Sequence, residues 1–204
     1  YGTIGTQEKY FLKWKEDEQD NRRFKLDKYL LKLCAKDRLI ELMHDFMLFD
    51  GGIKKLPRVH QYFGIKAAQD AVRQRKGGII WHTQGSGKSI VMVLLAKWIL
   101  ENNPHARVAI VTDRDELDKQ IERVFTDVGE PITRTSSGRD LMSRLGQATP
   151  RLMCSLVHKF GRKDVDDFDT FIKELESQPS QTVGEVFVFV DECHHAPSTT
   201  YTDL

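Results

Sequence analysis

A glycine-bearing loop between two apolar segments constrains the fold of this chain more than any other feature. Ile79, Ile80 and Trp81 precede the loop, its glycines are Gly85 and Gly87, and helix-period apolar residues follow it. Glycines allow backbone N–H groups to turn toward an anion, and a helix N-terminus adds its positive dipole end. The pattern therefore predicts a strand over 78–82, a phosphate-binding loop and a helix over 88–101.

The side chains of this loop suit a nucleotide triphosphate with Mg²⁺. Lys88 is predicted to reach the β- and γ-phosphates, and the Ser89 hydroxyl is predicted to ligate Mg²⁺. The remaining predicted nucleotide-binding residues of the loop are Thr83, Gln84, Gly85, Ser86 and Gly87.

A second motif, which is acidic, lies far along the chain. Residues 186–190 form a continuous apolar run, which is typical of a strand buried on both faces in a parallel sheet. Asp191 and Glu192 follow it, at the strand end where open α/β sheets bind ligands. Asp191 is predicted to hold Mg²⁺ and Glu192 to orient the attacking water. A strand ending in a polar turn is the alternative, and the phosphate-binding loop disfavours it.

Composition restricts the class of protein. The chain has 204 residues and a net charge of +1, so any nucleic-acid contact has to come from local basic patches. The three cysteines, Cys34, Cys154 and Cys193, are widely spaced and predict reduced thiols in or near the core. Cys193 and His194 could belong to a metal site, but the sequence has no second ligand pair at zinc spacing, so a zinc site is not expected. With no signal peptide or membrane-length apolar run, a cytoplasmic protein is expected.

The first part of the chain is predicted to be separate from the main domain. Residues 1–23 are polar, with Phe11 and Trp14 as isolated aromatics, and suggest a linker or the tail of a preceding domain. Residues 24–56 show helical apolar stripes and predict a helical adaptor. Asp37 is the predicted N-cap of its second helix, and the glycines at 51–52 are predicted to end that helix.

From residue 57 onward, helical and strand patterns alternate. This order predicts a parallel sheet with right-handed crossovers, and hence an α/β sandwich of the RecA-like type with helices on both faces. Predicted helices cover 61–75, 88–101, 115–125, 139–145 and 168–177, and predicted strands cover 78–82, 108–111, 152–156 and 185–190.

Several motifs together resemble a known family. The loop sequence 82–89, the upstream stretches 46–55 and 58–63, and the segment 111–120 are similar to the restriction (R) subunit of type I restriction-modification enzymes. These subunits are superfamily-two helicase-like translocases. The resemblance covers about residues 24–195 and identifies 57–204 as the first RecA-like motor lobe, with the second lobe absent. It also implies that residues 1–23 follow a nuclease domain.

The resemblance assigns further residue roles. Gln61 would read the adenine edge through its amide, and His194 would couple the nucleotide site to the second lobe. Thr112, Arg114, Gly138 and Ser155 would contact DNA, although Arg114 could equally pair with Asp115 or Glu116. Departures from the family pattern at Leu156 and His158 weaken the expected DNA contacts there, and His195 is interpreted as a surface histidine.

The implied function is ATP-driven translocation along double-stranded DNA, with cleavage by a separate nuclease domain. ATP and Mg²⁺ are the implied cofactors, and the methyltransferase and specificity subunits of a bacterial or archaeal enzyme are the implied partners. An arginine from the facing lobe completes phosphoryl transfer in such motors. Without that lobe, this fragment is expected to bind nucleotide weakly and to hydrolyse it negligibly.

Three other interpretations remain open. The chain could be another superfamily-two helicase or translocase, acting in repair or remodelling. It could be a kinase or switch GTPase, which a preference for guanine nucleotides would support. It could also be an interaction domain with a decayed loop, which the intact set Lys88, Ser89, Asp191 and Glu192 disfavours.

Overall fold

The structure of the chain is a computed structural model that describes residues 1–16, 24–50, 52–83, 85–112, 122, 125–126, 131–136, 138–156 and 183–191. Two compact units make up the chain, residues 1–95 and residues 96–204, and the division falls inside a helix. The domain boundaries predicted at residues 23 and 56 stay predictions.

The first unit contains helices and one small hairpin. Its elements are a 3-10 helix at Glu8–Tyr10, α1 (Lys25–Leu33), α2 (Lys36–Asp45), β1 (Leu48–Asp50), β2 (Ile53–Lys55), α3 (Val59–Arg73) and the start of α4 (Lys88–Asn102). The predicted helices at 61–75 and 88–101 are thereby confirmed, with α3 shifted toward the N-terminus by two residues at each end.

Two details of the predicted helical adaptor are wrong. Helix α2 ends at Asp45, and the glycines at 51–52 lie between β1 and β2, whose antiparallel register pairs Leu48 with Lys55. Gly52 has φ +76°, a conformation that suits a tight hairpin turn as well as a helix end. The N-cap of α2 is Ala35, so Asp37 lies in the first turn instead, where its charge favours the helix dipole.

Trp14 is a core residue, which the polar sequence around it did not predict. Its side chain is 2% exposed, and its ring packs edge-on against Tyr1 and Tyr62 at centroid distances of 5.7 and 5.4 Å. The indole N–H donates to Glu16 at 2.7 Å, and the Arg38 guanidinium lies 5.8 Å from the indole centroid. The described part of 1–23 is therefore packed into the first unit, while Phe11 is exposed as expected.

The predicted strand at 78–82 is wrong. Residues 76–83 have no regular secondary structure, and Ile79 and Trp81 are 69% and 84% exposed. A strand exists only through its ladder partner, and within the residues that the structure describes none pairs with this segment. Local apolar character therefore predicted a strand that lacks a neighbour.

The second unit is built on a parallel sheet. Four strands are ordered β4-β5-β3-β6, and all three neighbouring pairs are parallel. The strand bounds are β3 (Ala106–Thr112), β4 (Thr133–Arg134), β5 (Leu152–Leu156) and β6 (Glu185–Val190), and helix α5 spans Gly138–Leu145. All seven residues of β3 are buried, as expected for a central strand. The predicted strands at 108–111, 152–156 and 185–190 and the helix at 139–145 are confirmed.

One face of the sheet is covered by α5. Leu141 and Leu145 from the helix form a cluster with Ala109 of β3 and Met153 of β5. The helical residues at 122 and 125–126 agree with the predicted helix over 115–125, of which the rest lies outside the described residues. The predicted helix at 168–177 lies outside them entirely. The α/β architecture is consistent with a RecA-like lobe.

Two arginines, the buried Arg107 and the partly buried Arg151, donate to backbone carbonyls near helix ends. The Arg107 guanidinium is 2% exposed and donates from Nη2 to the carbonyls of Arg144 and Pro150, both at 2.7 Å. Arg151 donates from Nη2 to the carbonyls of Leu100 and Asn103, also at 2.7 Å. Arg144, Leu100 and Asn103 lie at helix C-termini, where carbonyls lack intrahelical partners, and Pro150 lies in the loop before β5. Burial, followed by the charge of Arg151, lowers the pKa of Arg107.

Both cysteines in the described ranges are free thiols. Cys154 is buried as predicted, whereas Cys34 is exposed, because α1 ends there at the surface. Cys193 lies outside the described residues. None of the helices that the structure describes is long and apolar enough to cross a membrane.

Candidate functional site

The glycine loop has the backbone geometry of an anion-binding turn. Gly85 and Gly87 have φ +74° and +85°, in the left-handed region that favours glycine. The Ser86 N–H donates to the Thr83 carbonyl at 3.2 Å, and α4 begins directly after the loop with Lys88. The Ser86 hydroxyl is buried and has no hydrogen-bond partner among the residues that the structure describes. The loop therefore offers a helix N-terminus, a lysine and an unused hydroxyl to a phosphate group.

Gln61 connects α3 to this loop. Its Nε2 donates to the Ser86 carbonyl at 2.9 Å and lies 3.4 Å from the Gly87 carbonyl, while its Oε1 accepts from the Arg58 N–H at 2.8 Å. The side chain is 5% exposed. Both hydrogen-bonding ends of the amide are thus engaged by backbone groups, so in this conformation Gln61 positions the loop. The predicted reading of adenine would have to share or replace these bonds.

Two histidines lie beside the same loop. The rings of His60 and His82 meet edge to face at a centroid distance of 5.1 Å, and His60 Nε2 is 3.4 Å from the Ser86 carbonyl. Nδ1 of His82 is buried and has no hydrogen-bond partner in the described parts of the chain. Burial, then His60, then Lys88 lower the pKa of His82. The lowered pKa favours the neutral form of His82, and a bound anion would oppose that effect.

The second unit brings predicted site residues to the carboxyl edge of its sheet. Asp191 follows β6, is 8% exposed, and donates its N–H to the Val111 carbonyl at 3.0 Å. Thr112 ends β3, and Ser155 pairs with Val111 in the register of β3 and β5. A carboxylate at this edge can serve as a ligand to a hard cation, directly or through water.

Two of the predicted DNA contacts are buried in the described structure. The side chains of Thr112 and Ser155 are buried, and the hydroxyl of each has no hydrogen-bond partner within the described ranges. Contact of these hydroxyls with a DNA phosphate would require the residues that cover them to move, and the two contacts stay predictions. Gly138 begins α5, and its contact with DNA stays a prediction as well.

The predicted site residues are divided between the units. Gln61, Thr83, Gly85, Ser86, Gly87, Lys88 and Ser89 belong to the first unit, and Thr112, Gly138, Ser155 and Asp191 belong to the second. Gln84, Arg114, Glu192 and His194 lie outside the described residues.

Sequence reasoning missed three residues that lie next to the loop or next to Gln61. Arg58, His60 and His82 were not predicted as part of the site. A signal existed for Arg58, which is the N-cap residue of α3. Gln61 is the N3 residue of that helix, and a glutamine at N3 commonly accepts from the N-cap N–H. The histidine pair had no comparable signal, since its members are 22 positions apart in the sequence.

Comparison with protein families gives one match. The family described as SWI2/SNF2 ATPase matches residues 60–203, which is more than half of the chain. The match includes the glycine loop, the parallel sheet and the acidic strand end.

Similar proteins are endonuclease subunits of type I restriction enzymes. The MjaIXP subunit of Methanocaldococcus jannaschii is 30% identical over 183 residues, which covers 84% of this chain and 17% of that protein. The HindI subunit of Haemophilus influenzae is 31% identical over 168 residues, covering 72% and 15% respectively. The SauCOLORF180P subunit of Staphylococcus aureus is 22% identical over 184 residues, covering 88% and 19%. The chain thus spans less than a fifth of the length of these curated relatives.

Proposed function

Since the chain belongs to the SWI2/SNF2 ATPase family, we propose that it is the ATP-binding lobe of the motor in a type I restriction enzyme R subunit. The observation that carries this proposal is the loop at 85–87, which has two left-handed glycines and leads directly into the N-terminus of α4. Family membership implies ATP binding, and the loop is the part of the described chain that is built to receive its phosphates.

The proposed phosphate contacts are local to the loop. Lys88, in the first turn of α4, pairs with the β- and γ-phosphates, and the unused Ser86 hydroxyl accepts or donates one further hydrogen bond. Thr83, Gln84, Gly85 and Gly87 supply backbone groups around the same anion. Neutralisation by a lysine and a helix dipole favours a triphosphate over a less charged ligand.

Mg²⁺ fits the hard oxygen donors that the sequence offers. Ser89 is proposed as a ligand through its hydroxyl, and Asp191 through its buried carboxylate. When bound, Mg²⁺ would neutralise charge on the β- and γ-phosphate oxygens. Glu192 is proposed to orient the attacking water, and His194 to couple hydrolysis to a second lobe. Lys88, Asp191 and Glu192 are therefore the proposed catalytic residues.

The motor as a whole is proposed to move along double-stranded DNA. Thr112, Arg114, Gly138 and Ser155 are the proposed DNA contacts in this lobe, and the burial of Thr112 and Ser155 makes Arg114 and Gly138 the first to test. A second RecA-like lobe, a separate nuclease domain, and the methyltransferase and specificity subunits of the type I complex are the proposed partners. The alternative is a different superfamily-two translocase in repair or remodelling, and the relatives in type I enzymes favour the restriction motor.

Direct measurement of nucleotide binding by the chain tests the proposal. We expect Mg·ATP to bind weakly to the wild-type chain, and Lys88→Ala to weaken binding by roughly a hundredfold, because a charge-assisted phosphate contact is lost. Lys97→Ala is the matched control, since Lys97 is on the same helix but pairs with Glu101 at 3.5 Å. Titration with EDTA should weaken ATP binding in the wild-type chain if the divalent cation takes part.

The second measurement concerns hydrolysis. We expect negligible ATPase activity from this chain, with or without DNA, because the facing lobe supplies the arginine that stabilises the transition state. Substantial DNA-stimulated turnover would refute that expectation. ATP affinity that is the same in Lys88→Ala and the wild type would refute the phosphate-loop assignment.

A further inference from the structure

A cavity of about 340 Å³ opens beside the glycine loop, within the first unit. Gly85, Ser86 and Gly87 line one side of it. This volume lies in the range of small-molecule sites, which are roughly 300–1,000 Å³. A ligand whose anionic end rests on the loop would therefore have room for its other end in the cavity.

A second part of the cavity lining comes from the N-terminal segment, defined here as residues 1–12. Thr3, Thr6 and Tyr10 of this segment line the cavity. The Tyr1 hydroxyl donates to the Pro57 carbonyl at 2.8 Å, and the Tyr1 ring packs on Trp14 at a centroid distance of 5.7 Å. These two contacts attach the segment to the body of the unit, so it forms a wall of the cavity.

Apolar and basic side chains line the cavity together with its polar residues. Phe46, Leu48 and Pro57 are buried apolar residues of the lining. Lys54 and Arg58 also line the cavity and are exposed to solvent. Apolar groups with cations close by suit a flat, uncharged ring attached to an anionic group, because the ring is partly removed from water while the anion stays near positive charge.

We propose that this cavity receives the base and ribose of the bound nucleotide, and that the N-terminal segment is part of the nucleotide site. The inference rests on the proposed function, because it assumes that the phosphates lie on the glycine loop. Thr6 and Tyr10 face the nucleoside, and Gln61 contributes from the loop side without leaving its bonds to the Ser86 carbonyl and the Arg58 N–H. Contacts to the base thus come from a segment that precedes the loop by about seventy residues.

Comparing two ligands isolates the contribution of the nucleoside. Mg·ATP and inorganic Mg·tripolyphosphate share the phosphate chain, and only ATP carries a base and ribose. We expect the wild-type chain to bind ATP at least about tenfold more tightly than tripolyphosphate, since burial of the base adds favourable free energy. Competition against a fluorescent ATP analogue on the full chain gives both dissociation constants.

Two variants alter the proposed wall. Thr6→Tyr places a larger side chain toward the cavity, and Tyr10→Ala removes an aromatic ring that is largely exposed and thus dispensable for folding. We expect each to reduce ATP affinity roughly three- to tenfold and to leave tripolyphosphate affinity within a factor of about two. Ile4→Tyr is the matched control on the same segment, because Ile4 is fully exposed and does not line the cavity. Circular dichroism shows whether each variant is folded, and Tyr10→Ala decides the matter if Thr6→Tyr is not.

The outcomes separate this inference from the proposed function. Unchanged ATP affinity in Tyr10→Ala would overturn the nucleoside assignment, and so would equal losses for ATP and tripolyphosphate. Those results would leave the phosphate loop in place as long as Lys88→Ala still weakens both ligands. If neither ligand displaces the fluorescent analogue from the wild-type chain, the proposed function and the inference both fail.

Discussion

Replacing Gly87 by alanine is the sharpest test of the loop geometry. Gly87 has φ +85°, and a Cβ built on it would lie 2.5 Å from Nε2 of Gln61. That distance is shorter than contacts between real Cβ atoms and nitrogen, so the Gln61 amide must move. The amide is buried and fixed by the Ser86 carbonyl and the Arg58 N–H, which leaves it no free rotation.

The expected cost has two parts. A left-handed conformation costs a residue with a Cβ about 1–2 kcal/mol. Displacing the Gln61 amide breaks at least one buried hydrogen bond, and a buried polar group left without its partner costs about 1–3 kcal/mol. Gly87→Ala should therefore lower the free energy of unfolding by about 2–5 kcal/mol.

Two companion variants separate the parts. Gly85→Ala shares the left-handed backbone, with φ +74°, but its Cβ would meet nothing within 4 Å, so only the backbone cost of about 1–2 kcal/mol is expected. In a Gln61→Ala background the obstructing amide is gone, and Gly87→Ala should then cost no more than Gly85→Ala. The double-mutant cycle thus reports the Gly87–Gln61 contact directly.

Urea unfolding followed by tryptophan fluorescence measures these differences. In a Trp81→Phe, Trp98→Phe background, Trp14 is the only tryptophan and reports on the first unit, in whose core it is buried. Equal destabilisation by Gly87→Ala and Gly85→Ala would refute the reasoning. An excess cost of Gly87→Ala that persists without the Gln61 side chain would refute it as well.

Three further predictions follow from buried groups. Arg107→Met should lower the free energy of unfolding by about 2–4 kcal/mol in urea titrations, because it leaves two carbonyls without their donor; an unchanged midpoint would contradict this. Trp14→Ala should cost about 3–5 kcal/mol by the same measurement, whereas a surface aromatic would cost little. His82 has a lowered pKa, so the unfolded chain binds its proton more readily and stability should fall as pH drops below 6.5. His82→Gln should flatten thermal stability between about pH 5 and 7, with His105→Gln as the exposed control, and an unaltered slope would exclude His82 as the cause.

Long apolar runs made most of the second unit predictable. Strand β3 is buried along its whole length, and its continuous run of Val, Ile and Ala predicts such a central strand. Helix α4 is likewise apolar around most of its circumference, which only a buried helix tolerates. In both cases the local composition and the final environment agree, so no information from distant residues was needed.

The errors arose where a partner distant in the sequence decides the structure. The run at 79–81 is apolar, yet it becomes a strand only if another strand offers it a ladder. The glycines at 51–52 fit a helix end and a hairpin turn equally well, and the pairing of β1 with β2 determines which one forms. Trp14 lies in a polar stretch, and its burial depends on residues distant in the sequence, such as Tyr62 on α3.

The candidate site shows the same division between local and distant information. Left-handed glycines and the N-terminal lysine of α4 could be predicted, because loop and helix adjoin in sequence. The enclosure of the Thr112 hydroxyl could not, since it depends on what covers the sheet edge. A threonine at a strand end is compatible with solvent contact and with burial, and the sequence alone does not distinguish them.

Gln61 limits how loop geometry and base recognition can be combined. A primary amide has two N–H donors and one carbonyl oxygen, and here backbone groups engage both ends. To bind an adenine edge, the amide would have to give up its 3.4 Å contact with the Gly87 carbonyl and share its oxygen with the Arg58 N–H, which would weaken its hold on the loop at the moment when the phosphates need it fixed. Recognition of the base by other groups avoids this conflict. The cavity lined by Thr6 and Tyr10 provides such groups while Gln61 keeps the loop in place.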